Sequence, residues 1–282
     1  MSASVDRKAA TLTKTRMKST FNALSAHGKS RGWGREVSPE TLTEKQWKGF
    51  VQARIEAGIS ARSIQNEMSH IRRALEGCGR GDFAKATTNA ALGVPTGTRK
   101  GEGLPVDPAV LAAARERADP ETRAWIDLQR GIGLRLNEMA SAGPSLAGWQ
   151  RQLEQGRGVL EIRDGSKGGR GRETFIPVQH RERALEAIKA ARAAMAGREH
   201  LVPSVNGEAA RQMVNDRYAR LGLAGENSSH SLRRAFAKDL YDHYREQGND
   251  DKRALGLVSR DLGHGEGRGR WVSNNYWKGG NG

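Results

Sequence analysis

Several short stretches in the second half of the chain bring together the residue types that handle phosphate and protons. In SSHSLRRAFAKDLYDHY, residues 228–244, Ser228 or Ser229 suits a helix N-cap, so His230 and Arg233 fall in the first turns of a helix. Three residues apart, they share a face. A helix N-terminus favours an anion through its free N–H groups and dipole. An imidazole and a guanidinium added there make a phosphate site. Taken alone, the same pair also reads as a capping histidine beside a surface arginine. In GIGLRLNEMASAG, residues 131–143, Gly131 and Gly133 break the preceding helix, Arg135 begins a short one, and Glu138 follows a turn later. A guanidinium at such a turn presents a bidentate fork to phosphate, and Glu138 can orient it or a neighbour. A surface ion pair is the ordinary alternative. The glycines do not form a dinucleotide fingerprint, because the third glycine and the preceding strand are missing.

Lys167 lies in the glycine-rich loop DGSKGGRGR. A lysine on such a loop can reach a DNA groove and give up a proton, although plain phosphate contact is the usual role of a loop lysine. Arg170 and Arg172 beside it are expected to contact DNA as well. The last stretch, LGLVSRDLGHGEGRGRWVSNNYWKGGNG, sets His264 after a helix end at Leu262-Gly263 and Tyr276 in the aromatic segment WVSNNYW. Three other tyrosines, Tyr218, Tyr241 and Tyr244, lie within amphipathic helices and suit packing. Tyr276 fits either a core-closing aromatic or a nucleophile.

The elements that position these groups are mostly helical. Residues 1–84 read as a helical domain. Thr41 and Glu44 are spaced as a capping box, and Gly58 stops the helix that follows. A further helix starts near Ser60, with Ile64, Met68, Ile71 and Leu75 on one face and Arg62, Asn66, His70 and Arg73 on the other. The basic face suits open solvent or a DNA backbone, which makes Arg62, Asn66 and Arg73 candidate DNA contacts. Residues 85–106, rich in Gly, Thr, Ala and Pro, read as a linker whose Arg99 and Lys100 follow phosphates. The second domain, 107–282, opens with Asp107-Pro108 and Asp119-Pro120, each a capping Asp before a Pro in the first helical position. Residues 159–163 and 173–178 are strand candidates joined as a hairpin. Helices are expected at about 180–196, 207–221, 230–247 and 251–262. The fold class is therefore mainly α with a small β-sheet.

Composition narrows the partners. Lys and Arg total 47 against 32 Asp and Glu, a net charge of +15 over 282 residues. Basic charge of this size calls for a polyanion, with nucleic acid first. No apolar run is long enough to span a bilayer, and no signal peptide is expected. Cys78 is the only cysteine, which excludes an intramolecular disulfide and a Cys-rich zinc site.

The order Arg135, hairpin Lys167, His230-x-x-Arg233, Leu-Gly-His264 and Tyr276 resembles the catalytic series of the tyrosine recombinases, the phage-integrase family. The resemblance covers about residues 105–276, and GISARSIQNEMSHIRRAL resembles the family's core-binding domain. It implies a helical core-binding domain followed by an α+β catalytic domain. It also implies transesterification without metal or nucleotide cofactor. Tyr276 would attack a scissile phosphate to leave a 3′-phosphotyrosine and a free 5′-hydroxyl. Arg135 and Arg233 would clamp the phosphate, and Glu138 would support them. His230 would act as base, His264 as a donor to the phosphate, and Lys167 as the acid for the departing oxygen. The implied partners are double-stranded DNA carrying recombination sites, a homotetramer on that DNA and an accessory directionality factor, in the cytoplasm at the nucleoid. The work would be integration or excision of a mobile element. A type IB-like topoisomerase and a non-catalytic DNA-binding regulator are the competing readings. Two features depart from the family pattern: a GEGRGR insertion widens the His264–Tyr276 spacing to 12 residues, and only WKGGNG follows the tyrosine.

Overall fold

The structure, a computed structural model, describes residues 11–33, 37–96, 103–166 and 169–276. The chain divides into two compact units, residues 1–99 and 100–282.

The first unit is built from α1 (Thr11–Ser30), α2 (Glu44–Glu56), α3 (Ala61–Gly77) and the short α4 (Gly81–Ala86). Ser60 caps α3 through its side chain, and the apolar stripe Ile64, Met68, Ile71 and Leu75 is fully buried. It packs on Leu24 from α1 and on Trp47, Phe50 and Val51 from α2. Trp47 donates its indole N–H to the Met68 sulfur at 2.9 Å. Two expectations shift. The capping box of α2 is made by Thr43 and Gln46, not by Thr41 and Glu44. Leu42 has to reach the core, where it is fully buried, so the cap falls one residue after it. The linker also starts later than residue 85. Thr87, Leu92 and Val94 are buried, the last two in the same core, because a Gly/Thr/Ala-rich stretch still buries its few large apolar side chains.

The second unit runs α5 (Pro108–Arg117), α6 (Pro120–Ile132), α7 (Leu136–Ala140), α8 (Gly143–Glu154), β1 (Val159–Ile162), β2 (Arg172–Phe175), α9 (Val178–Met195), α10 (Gly207–Arg220), α11 (Ser229–Glu246), α12 (Asp251–Asp261) and α13 (Gly269–Tyr276). Asp107 and Asp119 cap α5 and α6 with Pro in the first turn, as their sequence pattern requires. Helix α6 is the central element, buried through Trp125, Ile126, Leu128 and Ile132 and packed on α9 and α11. Gly131 does not break it. That glycine sits inside the helix, facing Ala184 of α9, with room there for an ordinary Cβ contact. Gly133 ends the helix with a left-handed φ of 70°.

The two strands form one antiparallel hairpin, with Val159 opposite Phe175 and Ile162 opposite Arg172. Strand β2 ends at Phe175, and Pro177 becomes the N-cap of α9. The indole of Trp149 on α8 donates to the Glu161 carbonyl at 2.9 Å and ties the hairpin to the helices. Among the described residues, no helix is long and apolar enough to cross a membrane.

Candidate active site

Two helix C-termini build the floor of the site. At the end of α6, the Gly133 carbonyl accepts from Nη1 of Arg233 and from Nη2 of Arg172, the latter at 3.3 Å. At the end of α12, the Asp261 carbonyl accepts from Nη1 of Arg172 at 2.8 Å. The Leu262 carbonyl accepts from Nη2 of Arg233 at 2.5 Å and from Nη2 of Arg135 at 3.2 Å. Unpaired carbonyls at a helix end carry partial negative charge, so cations are held well there. Three guanidiniums from three separate stretches of sequence are fixed by backbone in this way.

Glu138 completes the cluster from beneath and is fully buried. Its carboxylate accepts the Arg135 backbone N–H at 2.8 Å and the Arg135 Nη1, closing a cap on α7. It also accepts Nη2 of Arg172 at 2.9 Å, and Nη1 of Arg233 lies 3.7 Å away. Burial pushes this carboxyl upward. Arg172 first, then Arg233 and Arg135, outweigh that and hold it lowered to about 2. Arg233, wholly buried and crowded by Arg172, is lowered to about 10, which still leaves it charged at neutral pH. Three arginines on one carboxylate leave surplus positive charge, which suits a phosphodiester.

Tyr276, at the end of α13, is 1% exposed and points its hydroxyl into this cluster. Nε of Arg233 donates to Oη at 3.2 Å, and Nε2 of His264 lies 3.3 Å from it. His230, on the second residue of α11, stands edge-on to the tyrosine with ring centroids 5.5 Å apart. It keeps an exposed edge while protein crowds the rest of the ring. Burial, then the charges of Arg234, Arg233 and Arg135, lower its pKa to about 4. Burial and then Arg233, Arg135 and Arg172 lower that of His264 to about 3. Both imidazoles are therefore neutral at pH 7. Trp271, a residue that sequence reasoning did not single out, packs on His264 at 4.6 Å and on Tyr276 at 6.0 Å. Its signal was its place five residues before Tyr276 in an aromatic segment.

The wide His264–Tyr276 spacing is absorbed locally. The insertion forms a single tight turn, Glu266–Arg268, that leads directly into α13. Glu266 lies 3.4 Å from Arg253 and 3.8 Å from Arg260, which pins the turn against α12. Gly263 has to be glycine twice over. Its φ is +73°, and a Cβ there would meet Cδ of Arg172 at 2.6 Å. Gly263→Ala is expected to cost about 1–3 kcal/mol of stability, from left-handed strain and overpacking. An unchanged urea midpoint would show that the contact is not tight.

Of the expected site residues, Arg135, Glu138, His230, Arg233, His264 and Tyr276 come together. Arg172 is a correction. It was expected to meet DNA on the hairpin loop, but it is buried, because the strand register pairs it with Ile162 on the inner face. Arg170 is exposed on the loop, and Arg62, Asn66 and Arg73 are exposed on the outer face of α3. His70 on that face instead bonds Thr20 at 2.9 Å. Lys167, Arg99 and Lys100 lie outside the described residues.

The integrase family model matches residues 94–239, just over half of the chain. No curated protein matches it. Among solved structures, a lambda integrase dimer bound to a COC′ core site superposes with a TM-score of 0.61 at 18% identity, over 98% of this chain and 92% of that one. The Tn1549 transposon integrase with transposon right-end DNA gives 0.58 at 14%, over 96% and 90%. XerH site-specific recombinase bound to a palindromic difH substrate gives 0.51 at 17%, over 95% and 77%. At these identities the likeness is one of fold. With the family match and a tyrosine seated among arginines and histidines, it places the chain in the integrase family of tyrosine recombinases.

Proposed function

We propose that the chain is a site-specific DNA recombinase that breaks and rejoins duplex DNA through a phosphotyrosine at Tyr276, integrating or excising a mobile element. The observation that carries this reading is the Tyr276 hydroxyl held between Arg233 and His264, above arginines with spare positive charge. Oη attacks the phosphorus, the bond to the 5′ oxygen breaks, and the phosphate stays on the enzyme as a 3′ ester. A free phenol, with a pKa of about 10, is a poor nucleophile at neutral pH and must lose its proton to a base. His264 holds Oη before DNA arrives. Once the phosphate draws His264 away as a donor, His230 takes the proton. Arg135 and Arg233 bind the non-bridging oxygens, and Arg135, the more exposed of the two, meets the incoming phosphate first.

Lys167 protonates the departing 5′ oxygen. A substrate with sulfur at the 5′ bridging position tests this, because a thiolate leaves without a proton. Lys167→Ala is expected to be slow on the oxygen substrate and close to the unsubstituted enzyme on the sulfur one; equal slowness on both rules out the acid role. Exposed Arg62, Asn66, Arg73 and Arg170, together with Arg99 and Lys100, supply backbone contacts whose affinity falls steeply with salt. The functional assembly is a homotetramer on paired DNA sites, aided by a directionality factor, in the cytoplasm at the nucleoid. The first unit, whose core reaches Val94, acts as the core-binding domain, the stretch from there to residue 106 as a linker shorter than 85–106, and 107–282 as the catalytic domain.

The direct test uses a nicked duplex spanning the DNA that flanks the encoding gene, which should trap a covalent adduct. Peptide mapping should find the nucleotide on Tyr276. An adduct on another residue, or none on any flanking duplex, overturns the reading.

A further inference from the structure

We propose that Arg172 is a positioning residue of the recombination reaction: it neutralises Glu138 so that the positive charge of Arg135 and Arg233 stays available to the phosphate. This rests on the recombinase reading above.

Arg172 bonds the floor of the site, whereas Arg233 also bonds the Tyr276 hydroxyl. Arg172 is 8% exposed, and its guanidinium faces inward on every side where a partner is placed. Nε and Nη2 form a fork on the Glu138 carboxylate at 3.4 and 2.9 Å, and the other donors go to the Asp261 and Gly133 carbonyls. Its stem passes so close to Gly263 that no side chain fits there. Each of these contacts touches a part of the catalytic floor: the carboxylate that holds Arg135, and the two helix ends that hold Arg233 and Arg135.

The electrostatics give the reason. A buried carboxylate takes whatever cation is nearest, and an unpaired one is costly. Glu138 already contacts Arg135 and lies 3.7 Å from Arg233. Without Arg172, those two would satisfy the carboxylate alone and lose positive potential toward a phosphate. With Arg172 in place, one guanidinium balances the carboxylate and two remain in surplus. A lysine cannot do this, since one compact ammonium cannot reach a carboxylate and two helix ends in a planar fork.

The test measures single-turnover adduct formation at saturating nicked duplex, DNA affinity by gel shift, and melting. Arg172→Met is expected to slow adduct formation about a hundredfold while affinity changes less than about threefold, and Arg172→Lys is expected to recover no more than a tenth of the lost rate. The deciding variant is Arg172→Met combined with Glu138→Gln. Removing both charges restores the balance, so the double variant should cleave at least about tenfold faster than Arg172→Met alone. A role confined to packing predicts a double variant no faster than the single one, and that result overturns the proposal, as does a wild-type rate in Arg172→Met. If Arg172→Met fails to melt cooperatively but the double variant folds and cleaves, the proposal stands; if neither folds, Arg172 is a structural residue only and the proposal falls. An unsubstituted enzyme that forms no adduct strikes the recombinase reading instead.

Discussion

Tyr276→Phe is expected to abolish the covalent protein–DNA adduct while leaving the fold and DNA binding in place. No other tyrosine can substitute. Tyr218 is buried against Gln129 at 2.8 Å, Tyr241 is bonded to Asp251, and Tyr244 is bonded to Asp261 at 2.5 Å, so each hydroxyl is engaged away from the Arg233–His264 pair. The Tyr276 ring keeps its apolar contacts in the phenylalanine variant. What is lost is one oxygen that accepts from Arg233 and meets His264. Arg233 retains the Gly133 and Leu262 carbonyls, so no buried charge is stranded. The stability loss should therefore be only about 1.5–3 kcal/mol, the scale of a hydrogen bond to a charged group. Gel-shift affinity for the nicked duplex should stay within a few-fold, and denaturing electrophoresis should show no adduct. A persistent adduct in this variant would mean that the nucleophile lies elsewhere.

Glu138→Ala is expected to give the largest loss of stability, about 3–5 kcal/mol, because it leaves Arg172 and Arg233 buried with no counter-charge. Urea unfolding checks it, and a loss under about 1 kcal/mol would mean that water or backbone carbonyls already neutralise the arginines. Glu138→Gln keeps the shape and some of the hydrogen bonds, so it should lose less. The pH dependence has a defined sign. The Glu138 carboxyl is lowered on folding to about 2, so its stabilising contribution is complete above the ordinary carboxylate range and is lost as pH falls towards 2. The stability gap between the unsubstituted protein and Glu138→Gln should thus be constant above about pH 5 and narrow below it. His230 and His264 act in the same direction over a higher window. Their folded pKa values, about 4 and about 3, lie under that of a free imidazole near 6.5. The unfolded chain binds those protons first, so stability begins to fall as pH drops below about 6.5. Replacing both histidines with asparagine should flatten that part of the curve.

The parts of this protein that were legible in its sequence are those governed by neighbours along the chain. Asp107-Pro108 and Asp119-Pro120 started helices, and the stripe Ile64, Met68, Ile71 and Leu75 faced a core, because caps and helical periodicity act within a turn or two. The order of Arg135, His230, Arg233, His264 and Tyr276 was legible as a resemblance and meets in space. Thr41 with Glu44 imitated a cap that Thr43 and Gln46 make, since the choice between two nearby boxes depends on where Leu42 must go. Arg172 shows the limit most clearly. In a run of Gly, Lys and Arg it looks like its exposed neighbour Arg170, and only the hairpin register turns it inward opposite Ile162.

Tyr276, by its type and setting in sequence, was as much a packing aromatic as a nucleophile, and it is in fact almost wholly buried. Which groups the chain owns and in what order follows from the residues alone. That the ends of α6 and α12 converge, that Glu138 contacts three guanidiniums, and that the GEGRGR insertion closes into one turn and brings His264 to Tyr276 follow only from packing. A helix is specified by contacts three and four residues apart, whereas the charge of Glu138 is balanced by Arg172, 34 residues on, and the Tyr276 hydroxyl is held by Arg233, 43 residues back.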